Sequence, residues 1–176
     1  MIQTERLVLR RWTAADRAPL AAIHADPEVM RWLGGVATRR DSDVYMHRYE
    51  AHFDAHGFGL WAIERKADAA LLGVAGVRQA PFAGRPPSPC LEIAWRLARF
   101  AWGGGYMTEA AGAALRDALA REGVDEVLAW TAAINLKSQA VMRRIGMVRD
   151  PARDFDQTAL PEGDPLRPHV VYSARP

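Results

Sequence analysis

Trp102-Gly103-Gly104-Gly105-Tyr106-Met107-Thr108-Glu109-Ala110-Ala111-Gly112-Ala113-Ala114-Leu115-Arg116-Asp117-Ala118-Leu119 is the most informative stretch of the 176-residue chain. In its second half, Met107, Ala110, Ala111, Ala114, Leu115, Ala118 and Leu119 recur at i, i+3, i+4, i+7, i+8, i+11 and i+12. That is a full apolar stripe at helical period, and Gly123 stops it. In its first half, three consecutive glycines lead into the helix. Glycine lets backbone approach a ligand closely. A helix N-terminus adds unpaired N–H groups and the positive end of its dipole, which favour an anion. The unit reads either as a main-chain phosphate cradle or as a glycine-rich strand-to-helix turn.

Neither standard nucleotide motif accounts for it. A Walker loop needs Gly-Lys-Ser/Thr, whereas Gly105 is followed by Tyr106-Met107-Thr108. A dinucleotide fingerprint needs a third glycine where Thr108 stands, and an earlier place in a βαβ unit.

Outward from this unit the chain alternates between strand and helix signals. Upstream, Leu91–Leu97, Leu71–Val77 and Leu60–Arg65 read as strands, and the polar Lys66-Ala67-Asp68 makes the last two a hairpin. Residues 80–89 hold Pro81, Gly84, Pro86, Pro87 and Pro89 and read as a loop. Residues 41–55 predict a helix ending at Gly57. Thr13 and Asp16 are rival caps for an earlier helix that buries Leu20 and Ile23. Asp26-Pro27 opens a further short helix, ending near Gly34-Gly35, and Glu5–Arg10 is a first strand. Downstream, Glu126–Thr131 is a strand, Asn135 caps a short helix running to Gly146, and Val170-Val171-Tyr172 is a last strand. Residues 149–168, with four prolines and five acids, read as a long loop, functional or disordered. The order predicts one α+β domain over residues 1–176 with a mixed central sheet flanked by helices.

Composition narrows the classes. Apolar residues make up 49% and charged residues 25%, which is globular rather than disordered. No run of about 18 uncharged apolar residues occurs, so no membrane span is expected. Met1–Arg6 lacks the pattern of a secretory leader, which makes the cytoplasm the expected location. The formal charge is only +2, with acids interleaved among the arginines, so nucleic-acid binding is disfavoured. Cys90 is the lone cysteine and the five histidines show no ligand spacing, so no metal site is expected.

Several segments taken together resemble one family. They are Glu92-Ile93-Ala94-Trp95-Arg96-Leu97, then Trp102–Ala110, Asn135-Leu136-Lys137-Ser138 and Arg144-Ile145-Gly146-Met147. In this order they resemble the GNAT superfamily of acetyl-CoA-dependent N-acetyltransferases, most of all its RimJ/RimL-like branch. Thr4–Arg10 and His169–Tyr172 resemble the branch too, so the likeness covers nearly the whole chain.

The resemblance implies a splayed pair of strands holding acetyl-CoA. The pantetheine would lie along Ile93, Ala94, Trp95, Arg96 and Leu97, with residues 126–131 as the splayed neighbour. The pyrophosphate would sit on Trp102, Gly103, Gly104, Gly105, Tyr106, Met107 and Thr108. Trp102 stands where the branch usually has it. Met107 replaces a small residue, and as head of the apolar stripe it is expected to pack inward. Asn135 corresponds to an asparagine near the cofactor thiol. The tyrosine acid that many relatives carry seven residues later is Met142 here, and Ser138 takes the place of the serine assigned that role in RimL-like enzymes. Glu92 is the candidate general base; His169, Asp154 and Asp156 are weaker ones. The acceptor would be a small amine or a protein N-terminus, selected by residues 16–55 and 149–168. Trp32, Tyr45, Tyr49 and Phe53 are either an apolar wall for it or core. The acids Asp150, Asp154, Asp156, Glu162 and Asp164 either attract an amine or are simply solvated. The rival reading is a non-catalytic acyl-CoA-binding sensor. Monomer and homodimer both remain open.

Overall fold

The computed structural model describes residues 1–80 and 90–176, so the loop expected at 80–89 falls, apart from Ala80, outside the described residues. Strands β1 (Ile2–Gln3) and β2 (Leu7–Arg10) come first. Helices α1 (Arg17–Ala25), α2 (Pro27–Met30) and α3 (Arg39–His56) follow. Next come β3 (Leu60–Arg65), β4 (Leu71–Ala80), β5 (Cys90–Leu97), α4 (Tyr106–Leu119), β6 (Val127–Ala132) and α5 (Leu136–Arg144). The chain closes with β7 (Val148–Arg149), β8 (Phe155–Asp156) and β9 (Pro168–Ala174). The described strands form one mixed sheet in the order β1-β2-β3-β4-β5-β6-β9-β7, with β8 also on β9. Its β5–β6 pair is parallel and its other pairs are antiparallel.

Helices cover both faces. The α4 stripe buries Met107, Ala110, Ala111, Ala114, Leu115 and Ala118 against Leu7, Leu9, Ile63, Leu72 and Ile93. Small side chains let this helix lie close to the sheet. On the other face, Leu20, Ile23, Met46 and Tyr49 of α1 and α3 pack on Leu60, Ala62 and Val74. The alternation along β3 produces this division, because successive side chains point to opposite faces.

Three expectations are refined. Both rival caps stand at helix starts: Thr13 precedes a short 3-10 turn at Ala14–Asp16, and Asp16 is at the N-cap position of α1, where its side chain turns back to Thr13 and does not cap α1. Asp16 accepts from the Thr13 N–H at 2.8 Å and from Arg10 at 2.7 and 2.9 Å. The helix expected at 41–55 begins earlier, because Thr38 accepts from the Asp41 N–H. Residues 149–168 are not one structureless loop. They contain β8, paired to β9, and a 3-10 turn at Pro151–Arg153, and paired charges tie the segment together and to Glu126 just before β6. Arg153 bridges Asp150 and Glu126, and Arg167 pairs with Asp156. Asp154 pairs with Arg149. Three of the five acids are thus engaged by arginines, which a count of acids and prolines does not reveal.

Candidate active site

The opening in the sheet lies between β5 and β6. Among the described residues these strands share register only at Glu92 and Leu128. Beyond that point Ile93–Leu97 continues on β4 alone, through pairs from Ile93↔Val77 to Leu97↔Gly73. The backbone groups of Ile93–Leu97 that face β6 therefore have no strand partner, and buried backbone polar groups require one. The residues expected along the pantetheine are the ones on this unpaired edge.

The glycine unit closes the end of the opening. Gly103 and Gly105 have φ of +80° and +75°, in the left-handed region that glycine adopts without a Cβ penalty. The first bond of α4 runs from the Glu109 N–H to the Gly105 carbonyl at 3.1 Å. Among the described residues, the N–H groups of Gly103 through Thr108 have no bonded acceptor. Met107 is buried in the core, as expected from its place in the stripe, so its side chain leaves the N-terminus of α4 unobstructed.

A clamp that the sequence reading did not assign holds this loop from behind. Glu109 accepts from the Thr4 hydroxyl at 2.6 Å, the Arg6 N–H at 2.8 Å and Arg6 Nε at 2.7 Å. Arg6 Nη1 donates to the Gly104 carbonyl at 2.8 Å, and its guanidinium lies 4.5 Å over the Tyr106 ring. These contacts hold the Glu109 carboxyl below its ordinary pKa against the opposing effect of burial. The residue types were visible in Thr4-Glu5-Arg6 and in Thr108-Glu109. Their pairing across 103 positions was not.

The far wall is the start of α5. Asn135 caps it, accepting from the Ser138 N–H at 3.3 Å and donating to Thr131 Oγ1 at 2.9 Å. Its amide is thus engaged structurally, with one N–H and one lone pair to spare. Ser138 is half-buried on the first turn. Trp102 donates from Nε1 to the Leu97 carbonyl at 2.9 Å, and Lys137 lies 4.4 Å over its ring. The end of β5, the glycine loop and the start of α5 therefore meet at Trp102. Met142 is buried in the core at the position of the missing tyrosine.

Glu92, Ala94 and Arg96 share the opposite face of β5, toward α1 and α3. Glu92 is buried and pairs with Arg78 at 2.7 Å. Burial pushes its carboxyl above the ordinary range, against the pull of Arg78. Arg96 Nη1 lies 2.7 Å from Nε2 of the fully buried His24, and its guanidinium sits 5.0 Å over the Tyr45 ring. Tyr45 and Tyr49 lie on this face. Phe53 is core against Trp61, with ring centroids 4.3 Å apart. Trp32 is half-buried beside Arg31. The weaker base candidates serve the β9 edge instead. Asp154 accepts from the Val171 N–H at 3.1 Å, Asp156 pairs with Arg167, and His169 stacks on Phe155. Cys90 is buried, and burial beside Glu92 pushes its thiol pKa up, the opposite of what a nucleophilic cysteine needs.

Comparison with known proteins agrees with this geometry. A profile of the acetyltransferase (GNAT) domain matches residues 6–148. The Bacillus subtilis protein YkkB is 28% identical over 145 residues, covering 82% of this chain and 83% of YkkB. A GNAT-family acetyltransferase structure from Bacillus anthracis superposes with a TM-score of 0.81 at 22% identity, covering 99% of this chain and 97% of that one. RimL, a ribosomal L7/L12 α-N-protein acetyltransferase solved with coenzyme A, superposes with a TM-score of 0.77 at 16% identity, covering 98% and 95%. With the profile spanning most of its length and the splayed, glycine-closed sheet in place, the chain belongs to the GNAT acetyltransferase family.

Proposed function

We propose that this protein is an acetyl-CoA-dependent N-acetyltransferase acting on a primary amine by direct attack in a ternary complex. The observation that carries the reading is the opening of β5 from β6 beyond Glu92 and Leu128, closed by the unpaired N–H groups of Gly103–Thr108. The residues fit the cofactor. Main-chain N–H groups at a helix N-terminus suit a diphosphate, and the free edge of Ile93–Leu97 suits the amides of a pantetheine arm. When bound, acetyl-CoA supplies the activated acyl group. The chain's own residues do the rest. N–H groups of β5 polarise the acyl carbonyl as negative charge develops on it. Ser138 hydrogen-bonds the departing thiolate. Glu92, with its raised pKa, takes the proton from the attacking amine, directly or through water. A buried thiol at Cys90 supports direct attack over a covalent relay.

Two measurements test this. A thermal melt should shift with acetyl-CoA and not with ATP or NADPH; about 100 times Kd of ligand adds roughly 2.7 kcal/mol. Thiol release should then depend on an amine. A shift with no amine-dependent release would favour the sensor reading. No selective shift would sink both.

A further inference from the structure

We infer that the acceptor is a small amine carrying an anionic group, and that Arg96 binds that group. The inference deepens the transferase reading and rests on it for the position of the acceptor. The N-termini of α4 and α5 hold the cofactor side of the opening, so the acceptor approaches from the face shared by Glu92, Ala94 and Arg96.

The charges on that face do not balance. Glu92 is matched by Arg78 at 2.7 Å, and Arg96 attracts it only from beyond ion-pair distance. Arg96 has no carboxylate within ion-pair distance among the described residues, and residues 81–89 contain no acid in their sequence. An arginine donates only, so its 2.7 Å contact makes His24 Nε2 the acceptor and places the ring proton on Nδ1. His24 is thereby held neutral; burial, then Arg96, bring its pKa down to about 4. One surplus positive charge remains, half-buried, beside the Tyr45 ring.

Two further donors there are unused. The Tyr49 O–H and the His24 Nδ1–H are buried and meet no acceptor among the described residues. Tyr49 is 6% exposed and its ring is stacked near that of Tyr45; Arg96 bears on its oxygen both as a charge and as a close donor, and Arg78 as a charge, so it is the phenol proton that has no acceptor. Unpaired buried donors are costly, and an unpaired guanidinium more so. A carboxylate or phosphate on the acceptor would satisfy the guanidinium and the phenol together. A pocket of about 250 Å³ lies beside Tyr45, lined by residues 33–37, Asp41, Val44 and Arg48, and Tyr45 is the residue it shares with the Arg96 cluster. The positive field also favours the neutral form of an incoming amine, the form that attacks.

The test uses acceptors paired with and without the anion: phenylalanine against phenethylamine, tyrosine against tyramine, and phosphoethanolamine against ethanolamine. The last pair separates phosphate from carboxylate. The readout is the ratio of kcat/KM within each pair. At least one anionic member should exceed its partner by roughly 10- to 100-fold in the wild type. Arg96→Gln should bring that ratio close to one, Arg96→Lys should retain part of it, and Tyr49→Phe should lower it. A wild-type ratio near one in all pairs, or a ratio that survives Arg96→Gln, overturns the inference. Acetyl-CoA melts confirm that each variant is folded. The N-acetylated products, added with CoA, supply a readout without turnover. If no amine reacts yet the anionic product stabilises the wild type and not Arg96→Gln, the anion site stands and the transferase reading falls. If no product stabilises and no amine reacts, both fall.

Discussion

Alanine at Gly103 or Gly105 tests whether the loop's backbone shape is what binds the cofactor. Both residues sit at φ near +80° and +75°. A Cβ at Gly103 meets nothing within 4 Å, and one at Gly105 comes no closer than 3.4 Å, to Arg6 Nη2. Packing therefore contributes little, and the cost is that of a left-handed L-residue, roughly 1–2 kcal/mol. Alanine also narrows the unfolded ensemble, which offsets up to about 1 kcal/mol. The net cost is on the order of 1 kcal/mol and shows in one of two ways. A loop that keeps its shape lowers Tm by about 2–4 °C at this chain length with affinity retained. A loop that relaxes keeps Tm and weakens acetyl-CoA binding about fivefold. Differential scanning fluorimetry with calorimetric titration of acetyl-CoA measures both. Gly123→Ala is the control. It shares the positive φ of +78° and the open space but lies beyond the other end of α4, so it should lower Tm without changing affinity. If Gly103→Ala and Gly105→Ala both leave Tm within about 1 °C and affinity within about twofold of wild type, the reasoning from left-handed geometry is refuted.

Other perturbations address the remaining parts. Ser138→Ala should cut kcat while leaving the acetyl-CoA melting shift intact; equal loss of both would make Ser138 a structural residue. Glu109→Gln strips the charge from the Thr4–Arg6 clamp and should raise KM for acetyl-CoA several-fold more than it lowers kcat, as steady-state kinetics would show. An unchanged KM would remove the clamp's positioning role. Arg78→Met leaves Glu92 buried without its partner. Breaking a buried pair from one side costs about 3–5 kcal/mol, less here because Arg78 is 46% exposed, so chemical denaturation should show a clear loss of stability. His24 has a folded pKa of about 4, below its ordinary 6.5. The unfolded state therefore binds more protons between these values, and stability falls as pH drops through that window, by at most roughly 3 kcal/mol. His24→Gln should lose less Tm than the wild type between pH 7 and pH 5; equal losses would show that His24 titrates normally.

Local signals in the sequence were reliable where one interaction decides the structure. The α4 stripe, the inward Met107, the Asn135 cap and the Lys66–Asp68 hairpin all form, because periodicity, capping and turn chemistry act over a few residues. The glycine loop was legible for the same reason, although its phosphate-cradle and plain-turn readings were equivalent until the N–H groups were seen to be unpaired. The order within residues 149–168 was not legible: the arginines that hold its acids, Arg149, Arg153 and Arg167, lie in the same segment, but which acid each meets, and that Arg153 also reaches Glu126, follows only from the folded path of the chain.

By itself the sequence determined an α+β domain built around a glycine-led helix, together with motifs shared with one acetyltransferase family. Periodicity and motif order are properties of the chain, so they survive without coordinates. Only the tertiary structure decided how far β5 parts from β6, that Glu109 is held by Thr4 and Arg6, and that Arg96 is left with a buried histidine and an aromatic ring in place of a counter-ion. Strand register, ion pairing and burial join residues tens to a hundred positions apart, and the energy of each depends on a dielectric environment that exists only once the chain has folded.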